Sequence, residues 1–239
     1  MTLVQHEKFI NRYNKKRIAI KNWLLGAAFA NPEFNKCLIA FYTAEEYHTG
    51  FRKDGITPEF NHQLNIIGNI ITNLKKLNDP VTVLCVAFMH DLVEDYGINA
   101  KAWNKEENKE RLQGLNPVTE AEIYAQYGAT IAKSVNLISK EADGAKKSLD
   151  VYYDFIANDE YASIAKLEDR YDNLISMVGV FTEEKQLSYV NETITKFIPM
   201  LKTAQRRFPH HSDYYQEISN RLKTQCRIVL KNSGKDVDF

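Results

Sequence analysis

Apolar residues three and four positions apart recur along most of this chain, with few residues that would stop a helix. That pattern constrains the fold more than any other feature. Ile66, Ile67, Ile70, Ile71, Leu74 and Leu77 line one face of a helix. Asp79-Pro80 closes that helix and opens the next, since proline is tolerated in a first turn. Val83, Leu84, Val86, Ala87 and Phe88 are apolar nearly all round, which predicts a central, buried helix over about 80–96. The same spacing predicts helices over about 119–140, 148–157, 160–179, 183–204 and 212–231, with Thr119 and Asp159 as starts. Gly 10 and Pro 6 in 239 residues are about half the usual share of these turn-makers. No stretch alternates with period two, so the expected fold is all-α, a single-domain helical bundle. The charged segment 97–118 reads as a short exposed helix or a mobile flap.

Composition narrows the function. Lys+Arg 31 balances Asp+Glu 31, so there is no net field for nonspecific capture of nucleic acid or an anionic membrane. Cys37, Cys85 and Cys226 are scattered in apolar runs, which predicts buried free thiols in a reducing, cytoplasmic setting. The polar N-terminus lacks the apolar core of a signal peptide, and the run Val81 to Met89 is far short of a membrane span. Nothing matches a phosphate-cradling glycine loop, a Ser or Cys nucleophile elbow, or a dinucleotide fingerprint.

Chemistry concentrates in Met89-His90-Asp91-Leu92-Val93-Glu94-Asp95. On a continuous helix, Glu94, Asp91 and Asp95 fall about 40°, 100° and 140° from His90, so four ionisable side chains share one arc. At the end of an apolar helix such charges must be paired or metal-bound, because bare burial is too costly. Imidazole beside carboxylate suits a divalent Mn, Fe or Zn ion. A second cluster, Lys166-Leu167-Glu168-Asp169-Arg170-Tyr171-Asp172-Asn173, sets Asp169 and Asn173 on one helix face. His62 opens the Ile66–Leu77 helix. Lys15-Lys16-Arg17 reads as a solvated helix face, and His210-His211 after Pro209 reads as loop rather than as a metal site.

These motifs resemble the HD-type hydrolase domain of the RelA/SpoT enzymes and their small stand-alone alarmone hydrolases. His90-Asp91-Leu92-Val93-Glu94-Asp95 is similar to the family's His-Asp-x-Val-Glu-Asp. Lys166 to Asn173 resembles its Lys-Leu-Ala-Asp-Arg-Leu-His-Asn. Upstream, His48-Thr49-Gly50 and Arg52-Lys53-Asp54-Gly55 lead to His62 as in the family; downstream, Glu192-Thr193 and Ile198-Pro199-Met200-Leu201 resemble its later helix. The likeness runs in order over roughly 40–205. It implies an HD phosphohydrolase domain over 36–205, flanked by an N-terminal helical extension (1–35) and a C-terminal helix and tail (206–239).

The resemblance implies one divalent cation, usually manganese, held by His62, His90, Asp91 and Asp169. Glu94 and Asp95 would orient and deprotonate the attacking water. Asn173 and Ser176 would contact the nucleotide sugar, and Arg52 and Lys53 would pack on the base and neutralise phosphate. The implied reaction removes the 3′-pyrophosphate from ppGpp or pppGpp, with a small nucleotide as partner. The alternatives are hydrolysis of another nucleotide (an adenine alarmone, NADPH or a nucleoside phosphate) and a non-catalytic nucleotide-binding protein. Several positions depart from the pattern. Lys53 rather than Arg52 takes the family's Arg position, and Ser176 stands for its Thr. Glu168 and Asp172 replace a small residue and a His, which predicts extra negative charge near a site for a polyanion. The 97–118 insertion carries Lys101, Lys105, Lys109 and Trp103, a ring that either covers a base or packs on the domain.

Overall fold

The computed structural model describes residues 3–100, 103–142 and 145–235, so Lys101 and the end of the tail lie outside the described residues. In chain order the helices are α1 (Leu3–Ala30), α2 (Asn35–Tyr47), α3 (Asn61–Thr72), α4 (Pro80–Met89), α5 (Leu92–Tyr96), α6 (Glu120–Tyr127), α7 (Ala129–Ile138), α8 (Leu149–Ala157), α9 (Glu160–Ser176), α10 (Glu183–Glu192), α11 (Ile198–Arg207) and α12 (Ser212–Asn232). A two-residue antiparallel ladder pairs β1 (Glu141–Ala142) with β2 (Ala145–Lys146). The architecture is an all-α, single-domain bundle. No described helix is long and apolar enough to cross a membrane.

Position α4 at the centre and the rest follows. Every residue from Val81 to Met89 is buried, and α4 packs on α2, α3, α7 and α9. Each fully buried large aliphatic or aromatic side chain there stabilises the fold by about 1.5–3 kcal/mol. Asp79 caps α4 by accepting from the Thr82 N–H at 3.1 Å, with Pro80 in the first turn. Asp159 caps α9 by accepting from Ala162 N–H, and Thr119 and Glu122 close a capping box on α6. The terminal helices share the same core: Ile20 and Leu24 of α1 and Tyr214, Ile218 and Leu222 of α12 belong to one buried cluster. The three cysteines are buried free thiols.

Four expectations change. The helix expected over 80–96 breaks at His90-Asp91, where the His90 Nδ1–H donates to the Ala87 carbonyl at 2.8 Å. That acceptor belongs to the ladder a continuous helix would keep, so α5 restarts at Leu92. The 119–140 helix breaks at Gly128, whose φ of +92° suits a residue without Cβ. The 97–118 segment is neither a full helix nor a detached flap. Leu112 and Val118 are buried, Trp103 packs on the core, and Arg111 donates to the Tyr47 carbonyl at 3.1 Å. Finally, Lys16 leaves the solvated face of α1 to donate to Asn61 and Asn65 of α3.

The expected extra charge at Glu168 is also corrected. Glu168 points away from the His62, His90 and Asp169 cluster and into α12, fully buried, where Tyr214 donates at 2.7 Å and Arg221 pairs through both amine nitrogens. Its charge is neutralised inside the bundle. Replacing Glu168 with Ala strands the mostly buried Arg221 guanidinium and is expected to cost about 3 kcal/mol in urea unfolding; a loss under about 1 kcal/mol would contradict this pairing.

Candidate metal centre and cavity

Three elements deliver the metal-type ligands. The start of α3 supplies His62, the break between α4 and α5 supplies His90 and Asp91, and the middle of α9 supplies Asp169. The donor atoms of His62, His90 and Asp169 lie within 4.8 Å of one another, and all three residues are buried. Asp91 Oδ2 is 2.8 Å from His90 Nε2 and 3.8 Å from His62 Nε2. This cluster can hold a metal ion.

The residues fit a cation on their own chemistry. His90 Nδ1 donates to a carbonyl, which only accepts, so a neutral ring offers its Nε2 lone pair to the cluster. That Nε2 is a buried nitrogen with no hydrogen-bond partner, close to Asp91 but out of hydrogen-bonding alignment. A buried acceptor facing carboxylates lacks only a positive centre. Without one, the carboxylates must pull a proton onto the imidazole: burial lowers the His90 pKa, but Asp91 and Asp169 outweigh it and raise it to about 10.

Around the ligands stands a set of orienting groups. Asp169 divides its carboxylate: Oδ2 meets the buried Lys166 ammonium at 2.8 Å, while Oδ1 faces His62 Nε2 at 3.1 Å and accepts from Asn173 at 2.5 Å. Burial opposes the Asp169 charge, yet Lys166 and the two imidazoles hold its pKa well below the usual range. His62 Nδ1 lies 2.6 Å from Asp172 Oδ2, and Asn65 donates to the other Asp172 oxygen at 2.7 Å. Asp172 thus fixes the ring of His62, and Lys16 extends the network through Asn65.

The two candidate water-activating carboxylates lie on α5. Glu94 Oε2 accepts the Lys140 backbone N–H at 2.8 Å, from the loop between α7 and the small ladder. That loop is itself pinned by Lys147, which donates to the carbonyls of Asn136 and Ser139. Burial pushes the Asp95 carboxyl up to about 8, with Asp91 and Glu94 adding to the effect. His62, Asp91, Glu94, Asp95, Asp169, Arg52 and Asn173 all line one cavity of ≈ 240 Å³. A second space of ≈ 490 Å³ shares Arg52, His62, Asp91, Asp95 and Asn173, and adds Lys53, Ser176 and Phe181.

All ten candidate residues therefore meet in one region, with His90 beneath the cavity floor. Arg52 is engaged differently from the expectation of base packing: its guanidinium donates to Asn173 Oδ1 at 3.0 Å and Ser176 Oγ at 3.2 Å. Lys53 sits 4.9 Å from the Phe181 ring. No described residue of 97–118 lines either cavity, and Trp103 packs on the core. Lys166, Asp172, Asn65 and the Lys140 N–H escaped sequence reasoning as orienting groups. Their partners are set by tertiary packing, although Asp172 was legible as a departure from the family motif.

A scan against protein-family models and a search of curated proteins return no match to this chain. Replacing Asp172 with Ala should weaken Mn²⁺ binding about 10–100-fold in a calorimetric titration, the usual worth of a carboxylate behind a ligating histidine. Unchanged affinity would mean that Asp172 does not orient His62.

Proposed function

We propose that this chain is a metal-dependent nucleotide phosphohydrolase of the RelA/SpoT hydrolase type, removing the 3′-pyrophosphate from ppGpp or pppGpp to give GDP or GTP. One observation carries the reading: His62, His90, Asp91 and Asp169 converge with the buried His90 Nε2 left unpartnered, beside Glu94 and Asp95 on the wall of a ≈ 240 Å³ cavity that shares residues with a ≈ 490 Å³ space. A binding protein needs no such carboxylate pair.

A divalent cation, manganese in the enzymes this chain resembles, would be held by His62, His90, Asp91 and Asp169; it supplies a water of lowered pKa and positive charge for the phosphoryl oxygens. The chain's own residues do the rest. Glu94, fixed by the Lys140 N–H, takes the proton from the attacking water as general base. Asp95 stands one residue on and orients that water. Arg52, Lys140 and Arg170 on the cavity wall offset the substrate's negative charge as pyrophosphate departs. Asn173 and Ser176, bridged by Arg52, form the polar edge that meets the sugar. The partner is a small nucleotide, and the setting we assign is the cytoplasm.

A second reading has its own observation. Arg52 is held by Asn173 and Ser176, and Phe181 lies beneath both Lys53 and Lys185, so the base-side surface differs from a free stacking guanidinium. This favours phosphoester hydrolysis of another nucleotide, releasing pyrophosphate from an adenine alarmone or phosphate from NADPH or a nucleoside phosphate.

A panel of purified nucleotides, assayed with Mn²⁺ for phosphate and pyrophosphate, decides between them. Pyrophosphate release from ppGpp, abolished by chelator and by Asp91→Ala, is expected. Glu94→Gln should keep the metal and lower kcat about 10²–10⁴-fold. Turnover of no nucleotide by protein carrying stoichiometric metal would overturn the hydrolase reading, and wild-type turnover by Glu94→Gln would remove Glu94 as base.

A further inference from the structure

His210-His211 reads as loop in the sequence, and nothing in the cavity chemistry uses it. The structure puts the pair in a 3₁₀ turn, Pro209–His211, between α11 and α12 and against the first residue of α9. Glu160 Oε1 lies 2.9 Å from His210 Nε2 and also contacts His211 Nε2. The three donor atoms fall within 4.8 Å of one another, and the two rings are tilted with centroids 4.3 Å apart.

Proton accounting makes this arrangement informative. The His211 side chain is 0% exposed, and its Nδ1 lies 3.1 Å from the Lys76 carbonyl oxygen. A carbonyl only accepts, so Nδ1 carries a proton. In the neutral ring Nε2 then presents a lone pair to a carboxylate, which is also an acceptor. His210 Nε2 brings a second imidazole nitrogen to the same oxygen. The facing acceptors at His211 Nε2 and Glu160 Oε1 call for a positive centre between them, and a single metal ion bound there satisfies all three groups at once, whereas His210 taken alone could donate to Glu160 from its Nε2–H tautomer. Two imidazoles and one carboxylate form a zinc ligand set, and a backbone carbonyl behind a histidine Nδ1 is the usual outer partner. Bonds of about 2.1 Å in a tetrahedral site put donors about 3.4 Å apart. His211 is fixed, so the cluster opens to that spacing through the Glu160 side chain, which is partly exposed, and through His210, 39% exposed on its turn.

We propose that Glu160, His210 and His211 form a second metal site, of the three-ligand zinc type, with its fourth position open to solvent beside His210. Glu160 precedes Asp169 by nine residues on α9, about 13 Å along the axis, so the two sites are separate. The ion would pin the start of the helix that carries Asp169 to the turn before α12 and, through His211, to the Lys76 turn. This inference does not depend on the hydrolase reading.

The test is zinc titration of the full chain, stripped by chelator, in competition with a chromophoric chelator. Wild type should bind one equivalent more than His210→Ala and one more than Glu160→Gln, which conserves the size of the side chain. Added Zn²⁺ should raise the melting temperature of wild type more than that of either variant. His90→Ala should retain the His210-dependent equivalent, which separates this site from the other cluster. Equal zinc stoichiometry and affinity in wild type and both variants would overturn the proposal, as would loss of all zinc binding in His90→Ala.

Discussion

The site depends on a division of labour within one carboxylate. Asp169 gives one oxygen to Lys166, three residues back on the same helix, and turns the other toward His62. Lys166 is buried, and its ammonium is tolerable there because Asp169 pairs with it; burial lowers its pKa, but Asp169 leads the groups that raise it well above the usual value. The pair locks the Asp169 rotamer before any cation arrives, so part of the ordering cost of binding is met by the fold. Asn173, one turn further on, takes up the inner oxygen and passes the constraint to Arg52. A single face of α9 thereby connects the candidate metal ligands to the cationic side of the cavity.

The second constraint is the break between α4 and α5. A continuous helix would keep His90 in its hydrogen-bonded ladder. The break instead lets the imidazole use the Ala87 carbonyl to fix its tautomer, aiming Nε2 at the cluster. Burial of α4 on all sides makes the placement rigid, because four neighbouring helices hold the segment immediately before His90. The restart at Leu92 then carries Glu94 and Asp95 onto the cavity wall.

How far this was legible in the sequence differs by feature. The helices of the core announce themselves through spacing, and Thr119 and Asp159 cap where their side chains suggest. His90 and Asp91 were legible from charges set at the end of an apolar helix, whereas His62 and Asp169 were weak on spacing alone and stood out only through the family resemblance. The break at His90 was not, since it arises from a side chain competing for a carbonyl that periodicity does not register. Nor was the direction of Glu168, whose partner Arg221 is 53 positions away and becomes adjacent only when α12 docks on α9. In the insertion, packing of Trp103 on the domain was one of the two readings open from sequence, but the burial of Leu112 was not legible, since no local pattern encodes that contact.

The central claim is that His62, His90, Asp91 and Asp169 bind one divalent cation between them. Anomalous diffraction from crystals equilibrated with Mn²⁺ tests it most directly. The account predicts a single strong manganese peak bounded by the two Nε2 atoms and the two carboxylates, with His90 Nε2 in its coordination sphere. No peak there, in crystals whose other sites are occupied, would contradict it.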